Sequence, residues 1–166
     1  MSRPRRTAAA EPAMFPHTVT LYNVSVETDK ESFTSRTVSH ITILRGVLLD
    51  ACKAVNVRES GLVGADSAML YIPHGVKAAD GITGKPKKYV PPVEFWRMED
   101  KSAAWTLSVS SKNPDVDGNT FFVKGIAVEP ERDTQFIEML YDHVYDITSV
   151  DDKDFGGLAH FEIGAK

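Results

Sequence analysis

Alternation of apolar and polar residues with a period of two marks residues 18–24 as a half-buried β-strand. A longer apolar run covers residues 37–51, where β-branched side chains dominate and Gly46 is the sole breaker. We predict a long strand that bends or bulges at Gly46, because an interior glycine in a strand commonly marks such a site. A helix over the same residues is the alternative. Residues 68–72 predict a further strand, which Pro73 ends.

Two later pairs of apolar segments predict four more strands. Residues 105–109 and 120–124 flank a polar connection that ends in Asp117-Gly118-Asn119, and an Asp-Gly step is typical of a β-hairpin turn. Residues 144–150 and 158–163 predict the last two strands, joined across an acidic connection.

Helical periodicity is clear in one segment. Residues 133–143 place apolar side chains at helical spacing after Asp133, which has the chemistry of an N-cap. Residues 93–98 follow two prolines and predict one or two helical turns.

The segment between Pro73 and Pro92 carries four prolines, three glycines and four lysines, with little apolar content to anchor it. Structureless loops beyond about 12 to 15 residues are uncommon in compact domains and tend to be functional or disordered. We therefore predict an extended loop over residues 73–92 that has a role. Its cations are Lys77, Lys85, Lys87 and Lys88.

These elements together predict a mainly β fold, a small antiparallel β-barrel or sandwich of six to seven strands with one α-helix and a long central loop. Residues 17–166 form a single domain in this interpretation, and residues 1–16 form a flexible basic arm. The arm is either a frayed terminus or a device that holds a neighbouring subunit or a phosphate through Arg3, Arg5 and Arg6.

Composition places the chain among globular domains. Of its 166 residues, 42% are hydrophobic and 25% are charged, which argues against bulk disorder and collagen. No apolar run approaches the roughly 18 to 20 residues of a membrane-spanning helix. The net charge of −4 disfavours general affinity for nucleic acid. That charge is divided unevenly, with 12 Lys and Arg against 8 Asp and Glu up to Val90, and 7 against 15 from Pro91 onward.

A search for reactive chemistry finds no signature of a catalytic, cofactor or metal site. Asp115 to Asn119 resemble a calcium loop only superficially, and Asp151, Asp152 and Asp154 suit a solvated turn better than a cation site. Cys52 follows an apolar run without an identifiable orienting partner, so a small buried residue is a better interpretation than a nucleophile. The five histidines show no ligand spacing. We predict a protein that is not an enzyme and uses no cofactor.

The basic residues are the remaining candidates for contact. Lys85, Lys87 and Lys88 form an internal cluster suited to nonspecific contact with phosphate, and a solvated loop is the alternative. We predict that these three lysines, together with Lys77 and the three arginines of residues 1–16, contact DNA or a neighbouring subunit.

Several short motifs carry a resemblance that extends over most of the chain after Phe15. The motifs are His17-Thr-Val-Thr-Leu-Tyr-Asn23, Leu44-Arg-Gly-Val47, Ala65-Asp-Ser67, Tyr71-Ile-Pro73, Trp105-Thr-Leu107, Phe122-Val-Lys-Gly125, Ile147-Thr-Ser-Val-Asp-Asp-Lys-Asp-Phe-Gly156 and His160-Phe-Glu-Ile-Gly164. Through them the chain resembles an uncharacterised family encoded among the structural genes of tailed phages and prophages and, more faintly, the head-tail joining or head-completion (stopper) proteins of long-tailed phages.

The resemblance implies a subunit of the virion neck, made in the host cytoplasm, that forms a ring with copies of itself between the portal or adaptor and the tail proteins. Such a ring retains double-stranded DNA, which passes through it nonspecifically, and offers a platform for tail attachment. A tail terminator or minor head protein is the alternative within the same biology. A nucleic-acid-binding barrel that uses the arm and Tyr89 or Trp96 is the alternative from another class.

Overall fold

The structure, a computed structural model, describes residues 14–58, 61–109 and 119–166, and within residues 52–66 it describes the backbone alone. Nine strands and two short helices make up the described part of the chain. The strands are β1 His17–Thr28, β2 Ser35–Arg58, β3 Gly61–Pro73, β4 Lys77–Asp80, β5 Lys88–Tyr89, β6 Ala104–Trp105, β7 Asn119–Lys124, β8 Val144–Lys153 and β9 His160–Ala165. The helices are α1 Pro92–Arg97 and α2 Thr134–Leu140.

Seven strands form one antiparallel sheet in the order β1-β7-β8-β9-β3-β2-β4, and β1 also pairs with β2. Hydrogen bonds therefore run in a complete circuit through six strands, from β1 through β7, β8, β9, β3 and β2 back to β1. This arrangement confirms the predicted mainly β fold of the antiparallel barrel or sandwich type. No helix among the described residues is long and apolar enough to cross a membrane.

Gly46 lets β2 change partners. The register pairs Thr18 with Arg45 and His17 with Val47, so Gly46 is an extra residue in β2, and its φ is +85°. A bulge with a glycine at positive φ bends a strand and increases its twist. β2 pairs with β1 up to Val47, just past the bulge, and with β3 from Leu48 onward. The predicted strand with a bulge at Gly46 is thus confirmed.

A second corner lies in β8. Ile147 pairs with Ala165 and Ser149 pairs with Gly164, so one residue of β8 is left out of the register. β8 pairs with β7 before this shift and only with β9 after it. A Cβ at position 164 would overlap the hydroxyl oxygen of Ser149, so a larger residue there would force the Ser149 side chain to move. Strands that pass from one sheet to another through bulges are typical of orthogonally packed β structures.

The core has two parts. The larger cluster lies inside the circuit of strands and includes Leu21, Leu44, Leu70, Phe122 and Ile163. The smaller cluster covers the opposite face of β1 and β7 and consists of Tyr22, Ile41, Phe121, Val123, Ala127 and Ile137. β1 is buried on both faces from Val19 to Asn23, so the prediction of a half-buried strand there was wrong. The second layer, residues 125–144 with α2, explains the difference.

Both predicted helical segments exist, with corrected bounds. α2 begins after Asp133, whose carboxylate accepts a hydrogen bond from the Phe136 N–H at 2.8 Å, as the N-cap prediction requires. The backbone becomes extended at Tyr141, so the prediction of a helix to His143 was wrong by three residues. α1 matches the expected one or two turns.

The predicted hairpin of residues 105–109 and 120–124 was wrong. β6 pairs in parallel with β5, whereas β7 pairs with β1 and β8. The side chain of Asn23 on β1 holds the segment that follows β6, because its amide donates to the Thr106 carbonyl at 3.0 Å and accepts from the Thr106 N–H at 3.3 Å. The Asp117-Gly118 step of the predicted turn lies outside the described residues.

Two hairpins project beyond the circuit of strands. The first arm consists of residues 25–38, where β1 and β2 pair only with each other. β7 pairs with β1 before this stretch, and β4 pairs with β2 after it. In the second arm, residues 52–58 and 61–67, β2 and β3 pair beyond the end of β9, whose register begins at Ala68. Within the described residues, each arm is a two-stranded ribbon.

Candidate functional site

The predicted basic loop at residues 73–92 is folded. It contains β4, which pairs with β2, and β5, which pairs with β6. A tight turn follows β4, in which the Asp80 N–H donates to the Lys85 carbonyl at 2.8 Å and the Lys87 N–H donates to the Ala78 carbonyl at 2.9 Å. The long central connection is thus ordered in part, because β4 and β5 gain backbone hydrogen bonds from neighbouring strands.

Lys87 anchors this segment from inside the protein. Its ammonium donates to the Ile41 carbonyl at 3.1 Å and to the Thr42 hydroxyl at 3.2 Å, and it pairs with the Asp80 carboxylate at 3.1 Å. The Lys87 side chain is 1% exposed. The prediction that Lys87 contacts DNA or a subunit was wrong, because its charge is already satisfied inside the fold and is shielded from any partner.

Asp80 completes the anchor. One carboxylate oxygen accepts hydrogen bonds from the N–H groups of Ile82 and Thr83, at 3.0 and 2.7 Å, while the other faces Lys87. Burial acts to raise the pKa of Asp80, but these hydrogen bonds and Lys87 outweigh it and hold the pKa below its usual value. Asp80 is therefore ionised near neutral pH and fixes the turn.

The same buried charge affects a histidine on β2. Burial, followed by the nearby ammonium groups of Lys87 and Lys101, lowers the pKa of His40 below its ordinary value. His40 meets the ring of Phe95 from α1 edge to face, with ring centroids 6.1 Å apart. A neutral imidazole suits this packed position.

The other lysines of the segment are exposed but do not share one site. Lys77 is paired in register with Arg45, and both line a cavity of about 500 Å³ beside the Gly46 bulge. Lys85 instead borders a separate depression with Asp80 and Ser102. Lys88 is exposed on β5. The internal cluster predicted from Lys85, Lys87 and Lys88 is therefore dispersed by the fold.

The cavity beside Gly46, here named the Arg45–Lys77 pocket, combines apolar walls with two exposed cations. Its apolar lining comes from Met14, Phe15, Pro73 and Val76. Sequence reasoning missed Arg45, although this residue interrupts an otherwise apolar strand. That interruption is the signal that could have identified it, since a charged residue next to a bulge points outward.

At the opposite end of the β1–β2 hairpin, the tip of the first arm is a tightly bonded loop, residues 29–34. The Phe33 N–H donates to the Asp29 carbonyl, and the Asp29 N–H donates to the Thr34 carbonyl, both at 2.9 Å. Phe33 has a φ of +54° and is 86% exposed. Sequence reasoning missed this aromatic tip, which lies between the first two predicted strands.

Two histidine–carboxylate pairs lie near the end of β8 and the start of β9. His74 Nε2 lies 2.7 Å from Asp152, and His160 Nε2 lies 3.2 Å from Glu162. The hydrogen bond of His160 to the Leu158 carbonyl, together with Glu162, outweighs burial and raises the pKa of His160. Each of these two histidines thus has its own carboxylate partner.

The acidic connection is also shorter than expected, because β8 continues to Lys153 and takes Asp151 and Asp152 into its register with β9. Among the described residues, no group of three or more His, Cys, Asp or Glu side chains is arranged to hold a metal ion. The backbone of Cys52 pairs with Ser67, and its chemistry stays a prediction. Arg3, Arg5 and Arg6 lie outside the described residues.

Comparison with known proteins gives one match. A family model described as a family of unknown function, DUF6751, matches residues 14–166, so the chain belongs to this family. The match covers the folded domain and begins where the structural description begins. No curated protein and no solved structure matches the chain.

Proposed function

We propose that this member of the DUF6751 family is a structural subunit of the neck of a tailed-phage virion. Copies of the chain form a ring between the portal or adaptor and the tail, retain packaged DNA and offer a platform for tail attachment. The motif resemblance to head-completion proteins supports this proposal, and so does a fold in which a compact circuit of strands carries projecting arms.

The observation that carries the proposal is the second arm. Its two strands pair with each other over residues 52–58 and 61–67, and within the described residues no third strand joins them. An isolated two-stranded ribbon is marginally stable in water, and its unpaired edges are templates for pairing with another chain. An arm of this length suits a subunit whose strands are completed by neighbours in an assembly.

Ring assembly also explains how modest contacts produce a durable structure. Each subunit in a ring is held by two neighbours, so contacts that are weak alone gain from high effective concentration. Lys77, Lys85 and Lys88 are the exposed cations of the central segment available for DNA or an acidic neighbour. The acidic second half of the sequence limits how firmly the ring grips passing DNA.

Deletion of the gene from the encoding phage or prophage genome tests the proposal. We expect particles in negative stain to separate into free tails and heads that lose their DNA, with the wild-type gene restoring complete virions. Complete infectious particles without the protein would overturn the proposal. Attached tails of uncontrolled length would instead identify a tail terminator.

A shortened variant separates the role of the second arm from folding. Ala51 and Ala68 are register partners, so an Asn-Gly turn between them replaces residues 52–67 with a regular two-residue hairpin. The larger core cluster includes Leu49 and Ala68, and the shortened protein keeps both. We expect this shortened protein to fold and to fail in restoring virions. Full restoration would show that the second arm is dispensable for assembly.

A further inference from the structure

We propose that the aromatic tip of the first arm docks into the Arg45–Lys77 pocket of a second copy of this chain. The inference rests on the proposed ring function and identifies the contact between neighbouring subunits. Its two halves are the Phe33 loop and the cavity beside Gly46, which lie at opposite ends of the β1–β2 hairpin.

The tip presents a fixed apolar group. Asp29 organises the loop, because its carboxylate accepts hydrogen bonds from the Glu31 N–H and the Ser32 hydroxyl, each at 2.9 Å. Phe33 is held at positive φ, a region that a residue with a Cβ enters only at an energetic cost. Glycine would adopt this backbone freely, so the turn itself gives no reason for a phenyl ring. The ring is exposed on a loop whose backbone is held by hydrogen bonds before any partner binds, which favours a docking role.

The pocket has complementary chemistry. Its volume is about 500 Å³, and the apolar side chains of Phe15, Pro73 and Val76 contribute to its walls. Arg45 and Lys77 supply two exposed positive charges beside these walls. Residues 29–34 of the tip carry two acids and one lysine, a net charge of −1. An aromatic anchor framed by opposite charges is typical of the energetic centre of an interface.

Geometry directs the contact to another copy. Thr28 pairs with Ser35 next to the tip, and Thr18 pairs with Arg45 at the pocket. The ten residue-to-residue steps of β2 from Ser35 to Arg45 span roughly 33 Å at about 3.3 Å per step. The tip is therefore too far away to reach the pocket of its own chain. A contact between two different surfaces is head-to-tail, and head-to-tail contacts generate rings when the rotation closes.

Sedimentation of the full-length protein over a range of concentrations tests the contact. Phe33→Ser removes the anchor without touching the core, and the double variant Arg45→Glu/Lys77→Glu reverses the pocket charges at exposed positions. We expect each to weaken self-association by about tenfold to a hundredfold. Met139→Ser is the matched control, because Met139 on α2 is as exposed as Phe33, at 84%, and lies outside the contact. It should associate like the wild type.

Mixing the two variants gives the decisive result. The Phe33→Ser protein retains the pocket, and the double variant retains the tip, so together they should form a one-to-one dimer and nothing larger. If the mixture stays monomeric, the proposed contact between the Phe33 tip and the pocket is wrong. The same follows if the Phe33→Ser protein assembles like the wild type. Neither result contradicts the proposed ring. A wild-type protein that stays monomeric at its highest soluble concentration contradicts the ring as well.

Discussion

Lys87 Nζ and Asp80 Oδ1 lie 3.1 Å apart in an ion pair that holds the turn after β4 against β2. The lysine side chain is almost completely buried, and the Ile41 carbonyl and Thr42 hydroxyl accept its remaining hydrogen bonds. Lys87, which the sequence analysis included among the candidate DNA contacts, is thus a structural residue. It fixes the segment that carries the candidates Lys85 and Lys88.

Removal of Lys87 should destabilise the fold strongly. Lys87→Ala leaves the Asp80 carboxylate without its buried partner, and breaking such a pair from one side costs about 3 to 5 kcal/mol. Lys85→Ala, two residues away and exposed, should change the free energy of unfolding by about 0.5 kcal/mol or less. Urea unfolding followed by circular dichroism measures both variants. Equal stability of the two would contradict the structural role of Lys87.

Stability should fall as the solution becomes mildly acidic, partly because of His40. Its pKa is lower in the folded protein than the ordinary value of 6.5, so the unfolded chain binds the proton more readily. The stabilising contribution is therefore complete above about pH 6.5 and is lost as the pH falls towards the folded-state pKa. His40→Gln should flatten the dependence of unfolding free energy on pH between about 7 and 5. An unchanged slope would refute this assignment.

His160 provides the opposite sign in the same pH range. Because its pKa is raised in the folded protein, its contribution is complete below the ordinary value and is lost as the pH rises through the folded-state value. His160→Gln should therefore make the loss of stability on acidification steeper than in the wild type. A flatter profile in this variant would show that the Glu162 and Leu158 contacts do not favour the protonated ring.

The bulge at Gly46 should tolerate no side chain without cost. Gly46→Ala forces a residue with a Cβ to a φ of +85°, which costs about 1 to 2 kcal/mol. Gly75→Ala is the matched control, since a Cβ there meets no atom within 4 Å and Gly75 is not among the positive-φ glycines. Thermal unfolding should separate the two, and a Gly46→Ala protein as stable as Gly75→Ala would contradict the bulge.

Charge reversal of the exposed lysines tests their proposed contact with DNA or an acidic neighbour. In phage that carry Lys77→Glu, Lys85→Glu and Lys88→Glu together, we expect fewer DNA-filled heads and weaker tail attachment. Lys124→Glu, an exposed substitution on β7, is the control for altered net charge. Lys87 is left unchanged because its loss would destabilise the fold. Unchanged DNA retention and tail attachment in the triple variant would remove the proposed contact.

The sequence patterns correctly predicted the strands and helices that are determined by residues close together in the chain. The apolar run around Gly46 identified a bulged strand, and the spacing after Asp133 identified the start of α2, because strand alternation and capping depend on near neighbours. The predicted end of α2 was too late in the sequence. Tyr141 and Val144 continue the apolar spacing of the helix, but the backbone is extended from Tyr141 and leads into β8.

Long-range contacts decided the features that sequence reasoning missed. The Asn23 amide holds the segment after β6 through Thr106, 83 residues away, and no hairpin rule includes such a contact. Lys87 lies in a stretch rich in proline and glycine that is typical of a solvated loop, yet a carbonyl 46 residues earlier accepts a hydrogen bond from its ammonium. The Arg45–Lys77 pocket likewise forms only when β4 pairs beside the bulge.

Electron cryomicroscopy of the neck in purified virions tests the central claim most directly. We predict several copies of the nine-strand fold arranged around the DNA channel between head and tail, with each second arm lying against an adjacent chain. Intact, infectious particles whose neck density contains no copy of this fold would contradict the account.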